Sequence, residues 1–293
     1  MAMRRHGVVG LMVGLLVASG TVTSSAAPSR EPSAVARRTC TIAAAGDVAG
    51  GDDWQTGAAR TAALIRSREP GRVIALGDLA YSAGTSRQFA RYYTPTWGTF
   101  RGKTIAVPGN HEYQESPGAG LAAYFGARTR RNRAGHLCHG WRIVVLNPYT
   151  TSSRVNPAAV RRAARFLTAE RRRHPRAKLI VAWHPPRFSS GDEHGDDARL
   201  AALWSAAVRA RVRIVLNAHD HNYERFAPVG SGRTVEFVSG LGGHHVRGRG
   251  ETSRNSRSFF TGTPAVLFLT LRPSGYSFAA RTVTGRVVDH GSG

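Results

Sequence analysis

The sequence predicts an α/β protein: a layered β-sandwich flanked by helices, with a strand-rich C-terminal end. Three observations carry this. Short apolar runs alternate with stretches of helical spacing from residue 40 to residue 221. Polar residues gather where successive apolar runs stop. Beyond residue 233 the pattern changes to strand after strand, with turns at SGR and PSG.

The run CTIAAAGD is apolar and ends in Asp47. TGAARTAALIRSRE follows, with Ala, Leu and Ile at helical spacing. RVIALGD is a second strand, ending in Asp78; SRQFARYY reads as a helix; KTIAVPGNHE is a third strand, leading to Asn110 and His111. WRIVVLN is a strand, and NPAAVRRAARFLTAERRR a helix that Asn156 can cap, with Pro157 suited to its first turn. KLIVAWHPP is a strand ending near His184, and DDARLAALWSAAVRARV a helix. RIVLNAHDH is a strand ending in His219 and His221. TVEFVSG, AVLFLTLRP and YSFAARTVTGRVVDH complete the antiparallel end. There is no internal repeat and no second domain boundary, so residues 40–293 read as one domain.

The N-terminus reads differently. Arg4 and Arg5 precede GVVGLMVGLLVASG and the small residues TVTSSAAPS, the three-part pattern of a secretory signal with cleavage near Ala26. The apolar run is short for a membrane span; an uncleaved anchor is the alternative. The Arg-Arg pair hints at twin-arginine export, which HGVV fits poorly. Residues 27–39 read as a linker, and no later segment is apolar and long enough to span a bilayer. The expected location is therefore secreted or cell-envelope. Two cysteines, Cys40 and Cys138, suggest a disulfide in an exported chain. Each lies at an expected strand start, so they can meet if those strands are neighbours; two free thiols are the alternative.

Hydrophobic residues make up 41% of the chain, which excludes a disordered protein. The formal net charge is +23, almost all of it from arginine, since Lys103 and Lys178 are the only lysines. Part of that bias can reflect genome base composition. The remainder predicts a surface that attracts phosphate esters, nucleic acid or acidic polymers. The sequence carries no signal of oligomeric state.

Asp47, Asp78, Asn110 with His111, His184, and His219 with His221 all sit at carboxyl ends of apolar strands. Ligand sites of α/β sheets form at those ends. The set is rich in acceptors, and two carboxylates brought together repel unless a cation neutralises them. A metal site is the reading this favours. An H-x-H pair alone is more often a surface feature than a metal site.

In their order, GDVA, GDLAY, GNHE, AWHPP and AHDHNYER resemble the motifs of the calcineurin-like metallophosphoesterases, within them the purple-acid-phosphatase-like branch. The resemblance implies a metallophosphoesterase-type sandwich and two metal ions, iron with zinc, iron or manganese. Asp78 would bridge them. Asp47, Tyr81 and His221 would complete one site; Asn110, His184 and His219 the other. Imidazole and carboxylate suit borderline divalent ions, and phenolate and carboxylate suit a trivalent one. Many metallophosphoesterases have Asp-x-His at the first motif, whereas Ala49 stands here; the purple branch uses instead a tyrosine at the spacing of Tyr81. Only a short linker precedes Cys40, so the N-terminal β-domain of the large plant enzymes is not expected.

The resemblance further implies a hydrolase of phosphate monoesters, working by attack of a metal-bound hydroxide on phosphorus without a phosphoenzyme; with the signal pattern this makes an exported enzyme. His111 would bind phosphate and protonate the leaving group, and His194 would contact substrate, the alternative for His194 being a loop histidine in solvent. His244 and His245 in GLGGHH read as cleft rim or as a plain glycine-rich turn, and Asp52 and Asp53 as loop carboxylates. Two other functions stay open. One is a phosphodiesterase or nuclease using the same metals, with nucleic acid as substrate only. The other is an inactive anion-binding envelope protein.

Overall fold

The computed structural model describes residues 40–293 and, before them, only residues 2, 7 and 10. The signal segment, its cleavage point near Ala26 and the linker at 27–39 lie outside the described residues, as do the side chains of residues 52–55.

Among the described residues, thirteen strands form two sheets. The first begins with the parallel neighbours β1 (Cys40–Ala45), β2 (Arg72–Ala75) and β3 (Thr104–Ala106). The second holds β4 (Arg133–Cys138), β5 (Trp141–Val145), β6 (Lys178–Ala182), β7 (Ile214–Asn217), β8 (Tyr223–Phe226), β9 (Val235–Ser239) and β10 (Ser256–Phe260). The chain then returns to the first sheet through β11 (Ala265–Leu271), β12 (Tyr276–Thr282) and β13 (Val287–Ser292), an antiparallel meander beside β1. The strand orders are β13-β12-β11-β1-β2-β3 and β10-β8-β9-β7-β6-β5-β4.

Period-two alternation explains why the strands read as continuous apolar runs. Ile42 and Ala44 of β1 point inward and pack with Ile143, Ile180 and Leu216 of the other sheet. Ala43 and Ala45 point outward, against Ala58, Ala62 and Ile65 of α1 (Asp52–Arg68). After the short α2 (Ser86–Gln88) and α3 (Ala119–Phe125), the helices α4 (Pro157–Arg173) and α5 (Ala201–Arg209) cover the outer face of the second sheet. Val160 and Leu167 of α4 and Leu203 of α5 meet Val144, Val181 and Val215 there. Asn156 caps α4 by accepting from the N–H groups of Ala158 and Ala159, both at 3.0 Å, and Pro157 occupies the first turn.

Cys40 and Cys138 form a disulfide, with Cα atoms 6.5 Å apart, that ties one sheet to the other. Cys138 ends β4 instead of starting a strand, and it pairs in register with Trp141 across a hairpin. Three strands were not expected from the sequence: β4, β8 and β10. The SRQFARYY helix is only α2 followed by a π-turn over Phe89–Tyr93. The last helix starts at Ala201, after a 3-10 turn over Ala198–Leu200 that Asp197 caps. Among the described residues, no helix is long and apolar enough to cross a membrane.

Candidate metal centre

The loops after β1 and β2 continue the pairing of their strands: Asp47 N donates to Gly77 O at 3.0 Å, and Val48 N to Asp78 O at 2.9 Å. The two aspartates are thereby set side by side. Asp47, Asp78 and His219 all have positive φ, at 59°, 53° and 75°. Such backbone in non-glycine residues is strained by about 1–3 kcal/mol each and clusters at functional sites. Gly109 is required by the close approach of its loop: a Cβ there would overlap the carboxylate of Asp78.

The side chains converge from both sheets. Tyr81 Oη donates to Asp47 Oδ1 at 2.9 Å and lies 3.2 Å from His221 Nε2 and 3.5 Å from Asp78 Oδ2. His221 Nε2 is 3.5 Å from Asp47 Oδ1. On the other side, His184 Nε2 is 3.0 Å from Asp78 Oδ2, and ligand atoms of Asp78, His184 and His219 all lie within 4.8 Å of one another. Asp78 therefore touches both groups. Asn110 follows β3, and its Oδ1 is buried with no hydrogen-bond partner among the described residues. The structure thus brings six of the seven expected ligands into contact, and leaves the seventh with an orphaned buried oxygen.

Carbonyl groups set the histidine tautomers. His184 Nδ1 is 2.7 Å from Leu76 O, and His221 Nδ1 is 2.8 Å from His245 O. Each Nδ1–H donates outward, which leaves Nε2 free as a ligand facing the carboxylates. Burial pushes Asp47 up to about 7 and His221 down to about 2. Burial opposes the charge of both Asp78 and His184, yet their mutual attraction prevails, holding Asp78 below the carboxylate range and raising His184 to about 9. Burial, then the charge of Asp47, pushes the Tyr81 phenol well above its ordinary value. A cluster of buried acids, a phenol and imidazoles that compete for protons is the donor set two cations would satisfy, so these residues fit the expected metals.

His111 sits at the site's open side. Its backbone N–H donates to Asp78 Oδ1 at 2.9 Å, its Nδ1 meets Ser82 O, and its Nε2 is 3.8 Å from Asp78 Oδ2. His194 is exposed; its ring stacks on His219, centroids 4.1 Å apart, and its Nε2 accepts from Arg247 Nη1 at 2.9 Å. Ala49 is fully buried and bridges to Ala80, so the place of the absent histidine is filled by backbone pairing beside Tyr81.

Sequence reasoning missed Glu112 and Arg247, and left His244 between cleft rim and plain glycine-rich turn. Glu112, wholly buried, accepts from the N–H groups of Asp78, Leu79 and Gly109 and so clamps two ligand loops together. Its signal was the last letter of GNHE. His244 stacks on Tyr81, centroids 3.8 Å apart, and belongs to the site wall. Arg247 joins His194, Glu193 and the carbonyl of His219. No spacing rule marked Arg247.

The sequence profile of the calcineurin-like phosphoesterases matches residues 40–223. The chain belongs to that family. It is 29% identical over 214 residues to purple acid phosphatase 21 of Arabidopsis thaliana, covering 64% of this chain and 45% of that protein. The fold is shared with a purple acid phosphatase from yellow lupin seeds, at a TM-score of 0.62 and 19% identity, covering 87% of this chain and 53% of that one. It is also shared with GAP50, described as the anchor in the inner membrane complex of Plasmodium, at 0.69 and 13%, covering 86% and 88%. A dimetal phosphatase from Danio rerio gives 0.58 and 12%, covering 86% and 98%. The phosphoesterase domain described here thus spans about half the length of the purple acid phosphatases it matches.

Proposed function

We propose that the protein is an exported phosphoesterase with a binuclear metal centre, hydrolysing phosphate monoesters. The observation that carries this reading is the convergence of Asp47, Asp78, Tyr81, His184, His219 and His221 on one buried pocket, with Asn110 alongside and His111 at its open side. Asp78 is placed to be shared. Asp47, Tyr81 and His221 would hold an iron ion; Asn110, His184 and His219 would hold zinc, iron or manganese. When bound, such cations supply Lewis-acid polarisation of the phosphoryl oxygens and activation of water.

The rest of the chemistry belongs to the chain. The Ser82 carbonyl and the Asp78 carboxylate orient the His111 ring, so that its Nε2–H can bind a phosphoryl oxygen and pass a proton to the departing alkoxide. Glu112 keeps the loops of Asp78 and Asn110 in register. His194, stacked on His219, contacts substrate at the rim. The monoester preference rests on the likeness to a purple acid phosphatase. Export rests on the sequence pattern of residues 1–26. GAP50 has the same fold and is described as an anchor; here the complete donor set supports an enzyme.

A panel of phosphomonoesters, phosphodiesters and nucleic acids, assayed with metal analysis on the same preparation, tests the proposal. Two metals per chain and highest kcat/KM on monoesters are expected. A preparation with two metals that hydrolyses none of them would refute it, and preference for diesters or nucleic acid would replace monoesterase by phosphodiesterase.

A further inference from the structure

Helices α4 and α5 run back along the second sheet, so their C-termini gather at the amino ends of β5, β6 and β7, the pole opposite the metal centre. Helix C-termini favour cations, which accounts for Arg171 to Arg173 and Arg209 in the last turns. It does not account for Lys178, Arg211 and Arg213, which come from the strand starts and the turn before β7. Together with Arg209 these three surround one hollow of about 370 Å³. Among the described residues, no ion pair or hydrogen bond engages the charged ends of these four side chains, and Arg213 Nε is buried without a partner.

Arg171 lines the same hollow but is committed. It donates to the carbonyls of Ala210, Pro175 and Ala177 at 2.7, 2.9 and 2.9 Å, and so ties the ends of both helices to the sheet. Pro175 and Ala177 also line a second hollow, of about 540 Å³, whose cations are Arg142, Arg173 and Arg176. The two hollows are therefore neighbours, with Pro175 and Ala177 in the wall of each. No acidic residue lines either one. The nearby Glu170 is buried; it pairs with Arg142 at 2.6 Å and lies 3.9 Å from Arg173 and 3.4 Å from His174, which leaves Arg176, among the described residues, as the second hollow's unpaired cation.

Five like charges around one hollow, four of them unpaired, repel each other unless an anion joins them. A single small anion would leave the second hollow empty, whereas a chain of phosphate groups can run through both. Neither hollow has an aromatic side chain other than the imidazoles of His136 and His174 in the second, so there is no broad platform on which bases could stack. We propose that this groove, remote from the metal centre, binds a linear, base-free phosphate polymer.

The test is binding of fluorescein-labelled long-chain polyphosphate to the full-length protein and to a triple variant, Arg209→Gln, Arg211→Gln and Arg213→Gln, over a range of salt. Binding is expected to weaken about tenfold or more in the variant, and the slope of log Kd against log salt to fall by about two to three, as three phosphate contacts are lost. Hydrolysis of a small nitrophenyl ester should be unchanged, because the groove is at the other pole. Exchange of the same three residues for lysine keeps the charge and should keep the binding, which separates loss of charge from loss of fold. Equal polyphosphate binding by parent and glutamine variant would overturn the proposal. So would orthophosphate competing as well as the polymer at equal phosphate concentration, or single-stranded DNA binding more tightly than polyphosphate. None of these binding readouts depends on the metal centre being active.

Discussion

Replacing Glu112 by glutamine tests how the ligand loops are held. Glu112 Oε1 accepts from Leu79 N at 2.8 Å, and Oε2 accepts from Asp78 N at 3.0 Å and Gly109 N at 2.8 Å. A carboxylate offers acceptors on both oxygens; an amide offers one oxygen and an NH₂ group. In Glu112→Gln the best pose of the new side chain puts its amide oxygen where Oε2 was, keeping two bonds and turning its NH₂ toward the Leu79 N–H. One buried donor is then unsatisfied, a loss of about 1–3 kcal/mol. Glu112→Ala strands all three donors and opens a cavity, so its loss should be at least twice as large. The assay is urea unfolding with chelator present and the disulfide intact, followed by metal content after reconstitution. Glutamine is expected to lower the unfolding midpoint at constant slope and to weaken metal retention, because Asp78 and Asn110 sit on the loops it clamps. If glutamine changes stability by less than about 0.5 kcal/mol and metal retention is unaltered, Glu112 is not the clamp. Equal losses for glutamine and alanine would refute the acceptor count.

His111→Ala should retain its metals and lose about 100-fold or more in turnover, with a smaller loss on nitrophenyl esters, whose leaving group needs little protonation; equal losses on activated and unactivated esters would remove His111 as proton donor. The Tyr81 phenol is held neutral by burial and by Asp47 in the metal-free protein, so only a strongly charged cation can ionise it; the iron-loaded protein should be coloured and Tyr81→Phe should bleach it, read by visible absorption with iron analysis. Glu236 is buried, and burial pushes its carboxyl up to about 8. Between the ordinary carboxyl range and that value the unfolded chain has lost a proton the folded chain keeps, so stability falls as pH rises; Glu236→Gln should therefore stabilise by up to about 3 kcal/mol at pH 7 and by less than about 1 at pH 5, measured by urea unfolding. Reduction of the Cys40–Cys138 bridge, which spans a sequence separation of 98, should lower stability by about 3–5 kcal/mol in the loop-entropy model, seen in the same assay with and without reductant.

The layered α/β class, the order of the buried strands and the candidate ligand set were all legible before any coordinates. A strand buried on both faces must be apolar throughout, so Asp47, Asp78, Asn110, His184, His219 and His221 stand out where such runs stop, and period and motif order locate them. The edge strands of the second sheet carried no such signal. RAGHLC and SRSFF are half-exposed, and what makes them strands is pairing with β5 and with β8. YERF is buried, but it follows the His pair directly and its charges mask it; Glu224 is satisfied by Ser190 and Ser256, and Arg225 by Asp289, all distant in the chain. The same reason hid Glu112, Arg247 and the place of His244 against Tyr81. The role of each lies in what it touches, backbone N–H groups of two loops, the ring of Tyr81, and the rim at His194 and His219, and those contacts exist only once the two sheets have closed. The unpaired cations at the opposite pole belong to the same class: they are scattered along the chain from Lys178 to Arg213, and only the antiparallel run of α4 and α5 against the strands gathers them around one hollow.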